Sequence, residues 1–189
     1  SIHRYVPGLW STFIRRKHPH NERLYHALMA SPKIFRELIE DTWQDIIDAL
    51  GQESHVRIAL DEWGVWYLAR DIIRTNFNLQ DGIWTALILM ELQKHSEKCP
   101  MANWAQLINC IGTFQTRKED LWLTPVYLAL KMFVDHALDN IIHEVEVNCD
   151  TFDSKKYAHL PSMTEIPVIS CNATINDSQD RLSLILMNK

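Results

Sequence analysis

The chain has 189 residues, 47% of them hydrophobic and 23% charged, which is the balance of a globular protein able to bury a sizeable core in one domain or two. A formal charge of -5 and a pI near 6.0 argue against a phosphate-binding surface, and the only basic cluster, Arg15-Arg16-Lys17, is short and reads as a solvated loop, so nucleic acid is not an expected partner. The longest strongly apolar run, residues 83–90, is well short of a bilayer span and no signal-peptide pattern opens the chain, so no membrane partner is expected.

The first residues, SIHRY, read as the end of a strand, and the chain does not begin with Met. The expectation is an excerpt of a longer protein. Residues 6–23 form a long loop punctuated by Pro7-Gly8 and Pro19, in which Trp10 either lines a pocket or packs under the loop. His18, His20 and His26 are close enough to suggest a metal site, but Pro19 between two of them and the lack of a nearby acid or cysteine cluster favour a solvated loop. Residues 24–30 are a short helical candidate. A clear helix comes next, with Ser31 as N-cap, Pro32 at its first position and Ile34, Phe35, Leu38, Ile39, Trp43, Ile46, Ile47 and Leu50 at three- and four-residue steps. Gly51 ends it.

Residues 56–60, VRIAL, suit a buried strand, and two acids, Asp61 and Glu62, stand where it would emerge. Trp63, Trp66 and Tyr67 are expected in the connecting loop. A carboxylate walled by indoles at a strand end suits sugar chemistry, because aromatic faces bind the apolar faces of sugar rings. The plain alternative is a solvated acid with core tryptophans. Residues 67–77 read as loop or short helix, and 79–94 as a second helix with Ile83, Leu87, Met90 and Leu92 among its buried candidates and Gly82 as a weak point. A third strand end is expected around 101–103, then a helical stretch 104–111 ended by Gly112, a polar connection 115–120, and a last helix 124–136 capped by Thr124 with Pro125 in its first turn. A helix enclosed between strands is the alternation of a parallel α/β fold. Beyond residue 138, alternation in 143–147, parts of 168–175 and the run 182–187, with a turn at 176–180, marks the start of an all-β region. The four cysteines, Cys99, Cys110, Cys149 and Cys171, form no Cys-x-x-Cys pair, so a zinc site is not expected; free thiols and bridges both remain open.

The segment IALDEWGVWY resembles the nucleophile segment of the family 51 glycoside hydrolases, the α-L-arabinofuranosidases, in which a short apolar strand precedes Asp-Glu-Trp-Asn-x-Trp-Tyr. SIHRY at 1–5 is similar to that family's upstream Ser-x-His-x-Tyr strand end, and MANWAQLIN at 101–109 to its downstream Met-Ala-Asn-x-Ala-Gln-Leu-Val-Asn segment. Gly64 departs from the pattern, standing where the family commonly has Asn. The resemblance implies the C-terminal part of a (β/α)8 TIM barrel over residues 1–138, with its last three strands, and the start of a β-sandwich over 139–189. It implies Glu62 as the catalytic nucleophile of a retaining glycosidase, with Tyr5, Trp66, Gln106 and His3 binding substrate or supporting the nucleophile; packing or solvent exposure is the plain alternative for each partner. Substrates would be arabinose-containing oligosaccharides or polysaccharides. No metal or organic cofactor is implied, a cytoplasmic location is favoured, and the longer parent would be an oligomer, as family members often are.

A retaining glycosidase needs two carboxyl groups about 5 Å apart. In the family the second is a Glu in an Asn-Glu pair on an earlier barrel strand. Asn21-Glu22 lies downstream of the His-x-Tyr strand with no apolar strand before it and is not accepted as its counterpart, so the polypeptide alone is expected to be inactive; with only about three of eight barrel strands supplied, apolar faces and sheet edges would be uncovered and poor solubility is expected as well. An endo-β-glucanase on the same scaffold and a non-catalytic carbohydrate-binding protein are the alternatives.

Overall fold

The computed structural model describes residues 1–7, 22–67 and 76–189. Trp10, the basic cluster at 15–17, His18, His20 and Asn21 lie outside the described residues, as does most of the connection at 67–77.

Three strands, β1 (Ile2–Pro7), β2 (Ala59–Trp66) and β3 (Met101–Trp104), pair in parallel in the order β1-β2-β3. Helices α1 (Glu22–Ala30) and α2 (Pro32–Leu50) fall between the first two strands, and α3 (Leu79–Lys94) between the second and third. A hairpin of β4 (Phe114–Arg117) and β5 (Asp120–Leu123) leads into α4 (Pro125–His136). The remainder is antiparallel: β6 (Asn140–Ile142), β9 (Ile169–Ile175) and β10 (Leu182–Asn188) form a sheet in the order β10-β9-β6, and β7 (Thr151–Ser154) pairs with β8 (Met163–Pro167). The class is mixed α/β, as the strand and helix alternation predicts.

One face of the parallel sheet supplies Val6, Leu60, Trp63 and Val65 to the core, and the helices cover it with Leu28, Phe35, Ile39, Trp84 and Ile88. Trp84 is the hub of this layer, with Phe35 at 5.7 Å and Trp63 at 6.1 Å between ring centroids. Helix α3 is buried on most of its circumference because α2 and α4 flank it and the antiparallel region meets its C-terminal half. There Asn172 of β9 donates to the Met90 carbonyl and to Gln93 Oε1, both at 2.9 Å. Arg36 of α2 grips Glu91 of α3 with two bonds, at 3.0 and 2.8 Å. A planar fork on a carboxylate fixes the orientation of both helices.

Several expectations are corrected. The strand carrying the acids begins and ends later than 56–60, because the ladder to β1 runs on to the Pro7–Trp66 pair; Trp63 and Trp66 are therefore strand residues, and Trp63 is fully buried. Residues 104–111 form no helix. Their apolar spacing imitates one, but the backbone is engaged by the hairpin, with Asn109 N–H donating to the Phe114 carbonyl at 2.7 Å and Phe114 N–H to the Leu107 carbonyl at 3.0 Å. Asn109 and Cys110 take φ of 57° and 53°, a left-handed turn incompatible with helix. The polar stretch 115–120 belongs largely to that hairpin. The alternating residues 143–147 stay unpaired, since the edge of β9 is taken by residues 140–142 instead. Ser31 is not a side-chain cap: its hydroxyl donates to the Leu28 carbonyl and accepts from the Trp84 indole N–H, each at 2.8 Å. Thr124 does cap α4, accepting from Tyr127 N–H at 3.2 Å. The four cysteines are unbridged, and burial pushes the Cys99 thiol upward. Among the described residues no helix is long and apolar enough to cross a membrane, and no group of three or more His, Cys, Asp or Glu is placed to hold a metal.

Gly82 is a packing requirement. A Cβ there would stand 2.9 Å from the Pro125 carbonyl oxygen and 3.0 Å from its Cβ, so the start of α4 is seated on the bare backbone of α3. Alanine favours a helix over glycine by up to about 1 kcal/mol, but this overlap is with backbone and forces the helices apart. Gly82→Ala is expected to destabilise the fold by about 1–3 kcal/mol in urea unfolding; an unchanged or raised midpoint would contradict the packing described.

Candidate active site

β2 holds one residue more than its neighbours can match. Ile2 pairs with Leu60 but His3 pairs with Glu62, leaving Asp61 without a partner on β1, and on the other side Leu60 pairs with Ala102 while Trp63 pairs with Trp104. This is a β-bulge, which reverses the alternation of the strand and re-aims the side chains after it. Leu60 faces the helices. Beyond the bulge Trp63 and Val65 also face them, while Glu62, Gly64 and Trp66 stand in register with His3, Tyr5 and Pro7 on the other face.

On that face the Tyr5 hydroxyl donates to Glu62 Oε2 at 2.9 Å. The Tyr5 ring meets Trp66 edge-on, with centroids 5.2 Å apart and planes at 81°. His3 Nδ1 lies 3.5 Å from the same carboxylate oxygen, and the His3 and Glu62 side chains are 50% and 46% exposed. Burial, then the bond to Glu62 and its charge, raises the Tyr5 phenol well above its ordinary value. Tyr5 is thus a neutral donor around neutral pH. One oxygen of Glu62 is held and the carboxylate stays accessible, as a group that must attack an electrophile from a fixed orientation requires.

The fourth expected partner stands apart. Gln106 is an exposed residue of the loop after β3, and it lines a cavity of about 540 Å³ with Asn103, Trp104, Leu107, Phe114 and Tyr127, a set without His3, Tyr5, Glu62 or Trp66. Strands β1 and β2 therefore bring together four of the five residues singled out in the sequence. Two features of the site were not singled out. Tyr67 ends β2 by donating to Asp81 Oδ1 at 2.5 Å, while Asp81 Oδ2 accepts from Asn78 N–H at 2.8 Å, so a buried carboxylate ties the exit of the strand to the start of α3. Burial and the Asp81 charge raise the Tyr67 phenol. Asp81 three residues after Asn78 was the available signal. The second feature, Trp104 over Gly64, left no trace in spacing.

Comparison with known proteins points the same way. Residues 61–185 match the family model described as the α-L-arabinofuranosidase C-terminal domain. An intracellular exo-α-(1→5)-L-arabinofuranosidase 1 of Bacillus subtilis is 22% identical over 152 residues, covering 71% of this chain and 28% of the relative. An intracellular exo-α-L-arabinofuranosidase of Bacteroides ovatus is 25% identical over 138 residues, covering 69% of this chain and 25% of the relative. This chain thus spans about a quarter of the length of the curated relatives it matches. Among solved structures, the α-L-arabinofuranosidase of Thermotoga maritima in an arabinose complex superposes with a TM-score of 0.77 at 29% identity, over 87% of this chain and 35% of that one. The family 51 enzyme of Thermotoga petrophila gives 0.75 at 30% identity, over 84% and 34%.

Tyr5→Phe keeps the ring against Trp66 and removes only the donor to Glu62. Its expected cost is about 0.5–1.5 kcal/mol in urea unfolding, read beside a Tyr25→Phe control; a cost no larger than that of the control would mean the Tyr5 to Glu62 bond contributes nothing.

Proposed function

The chain belongs to the α-L-arabinofuranosidase family whose C-terminal-domain model it matches, and from that premise we propose that it carries the nucleophile of a retaining enzyme that releases terminal α-L-arabinofuranosyl groups. Glu62 attacks the anomeric carbon as the leaving oxygen is protonated, giving a covalent glycosyl ester that water then hydrolyses. Tyr5 fixes Glu62 through Oε2, Trp66 offers the apolar wall for the furanose, and His3 adds a polar group from the same strand as Tyr5. Gln106 keeps its sugar-binding role on the resemblance alone. The observation that carries the proposal is the 2.9 Å bond from Tyr5 to Glu62 beside Trp66, which joins residues of two separate motifs in one working geometry.

The parallel strands β1 to β3 with their helices are read as the last three units of a (β/α)8 barrel, and residues 139–189 as the beginning of a β-sandwich. The relatives from Bacillus and Bacteroides are named exo-acting and intracellular, which supports terminal arabinofuranosyl groups as the substrate and the cytoplasm as the compartment. The acid/base is assigned to an earlier barrel strand. Glu22 is an exposed residue in the first turn of α1, beside Arg23, His26, Asp153 and Lys155, which supports leaving it out of the chemistry. Leu107, Leu121, Trp122, Leu128 and Val134 are large apolar residues open to solvent, which supports the expectation that these 189 residues alone are poorly soluble and do not turn over.

In the full-length enzyme, Glu62→Ala is expected to lower kcat on an aryl α-L-arabinofuranoside by at least about a thousandfold with the fold intact. Added azide should restore turnover and yield a glycosyl azide of inverted configuration. Hydrolysis retained in the variant would end the assignment, and preferred turnover of β-glucan by the unaltered enzyme would end the substrate class.

A further inference from the structure

Glu62 is served from one side only. Tyr5 and His3, both on β1, approach the same oxygen, Oε2, at 2.9 and 3.5 Å, and among the described residues Oε1 accepts no hydrogen bond. On its other side Glu62 adjoins β3. There Leu60 pairs with Ala102 and Trp63 with Trp104, so the bulged Asp61 and Glu62 together stand opposite Asn103. Residues paired across a ladder project to the same side of a sheet. Leu60 and Trp63 are buried beneath the helices, which puts Ala102 and Trp104 on that side and Asn103 on the face of Glu62. The Asn103 carboxamide is exposed and, among the described residues, has no hydrogen-bond partner.

The sugar has a hydroxyl to match it. An α-L-arabinofuranoside carries its leaving group and its 2-hydroxyl on opposite faces of the ring, and a carboxylate that displaces the leaving group approaches the face bearing the 2-hydroxyl. That hydroxyl therefore points down at the strands, beside Glu62. The Tyr5 ring, packed on Trp66, occupies the β1 side of the carboxylate, which leaves the β3 side.

We infer that Asn103 is a further substrate-binding residue, whose carboxamide takes the 2-hydroxyl of the arabinofuranosyl group that Glu62 attacks. Neighbouring strands lie about 4.8 Å apart, so an amide beside the carboxylate reaches a substituent on the carbon next to the reacting one. An amide both donates and accepts, so it satisfies the hydroxyl and leaves Oε1 free to attack. The inference rests on the proposed role of Glu62 and adds a contact from the third strand.

The test compares unaltered full-length enzyme with Asn103→Ala and Asn103→Asp on a dinitrophenyl α-L-arabinofuranoside and on its 2-deoxy counterpart, well below each variant's measured melting temperature. Both changes are expected to lower kcat/KM on the arabinofuranoside by about ten- to a hundredfold and on the 2-deoxy substrate by less than about threefold, because a substrate without the hydroxyl has no bond to lose. Equal losses on the two substrates would mark a structural role and overturn the inference, as would full activity of both variants on the arabinofuranoside. The outcome is separable from the nucleophile assignment: if Glu62→Ala is inactive and azide-rescued while the losses do not depend on the 2-hydroxyl, this inference alone fails.

Discussion

The extra residue in β2 is the constraint on which the rest of the site depends. In a regular parallel ladder Asp61 would come after Leu60 opposite His3, and the acid presented beside Tyr5 would be the shorter one. The bulge skips Asp61 and turns Glu62 onto that face. It also carries Trp63 and Val65 into the helix-covered layer, where they are fully buried. Burial of the indole thus specifies the register, because slipping the strand by one residue would expose Trp63 and withdraw Glu62 from Tyr5. One packing choice sets both core and site.

The surrounding structure holds this register from several sides. Trp84 packs on Trp63 and is pinned through its indole N–H to Ser31, at the junction of α1 and α2. Asp81, wholly buried, ties the end of β2 to the first turn of α3, and Gly82 allows α4 to close on that same turn. Asn172 then couples the far end of α3 to the antiparallel sheet. Each link joins a hydrogen-bonding group to a packed aromatic or a bare backbone, so buried polar atoms position the elements and apolar area stabilises them.

The range of the forces involved decides how much of this could be read from the sequence. Helices α2 and α4 were legible because their burial repeats at the helical period and Pro32, Gly51 and Thr124 punctuate them locally, and α3 was legible from its apolar candidates Leu87, Met90 and Leu92 although burial runs round most of it. Glu62, Tyr5, Trp66 and His3 were legible through motif resemblance, and the strands bring them to one face. The bulge was not, since no local pattern states which of two adjacent acids faces a neighbouring strand. Residues 104–111 misled because Trp104, Leu107, Ile108 and Ile111 have helical spacing, while their backbone is claimed by a hairpin several residues later. Gln106 moved with that loop, into a cavity lined by α4 in place of the expected site. The alternation at 143–147 marked extended chain correctly but not pairing, which a distant edge decides.

The central claim is that the Glu62 carboxylate is the group that bonds to the sugar, and trapping tests it most directly. The full-length enzyme would be incubated with an activated 2-fluoro arabinofuranoside, digested, and its peptides mapped by mass spectrometry. The account predicts a single fluoroarabinosyl adduct on the peptide containing Asp61-Glu62-Trp63, with fragmentation placing it on Glu62. An adduct on Asp61 or on any other carboxyl group would contradict it.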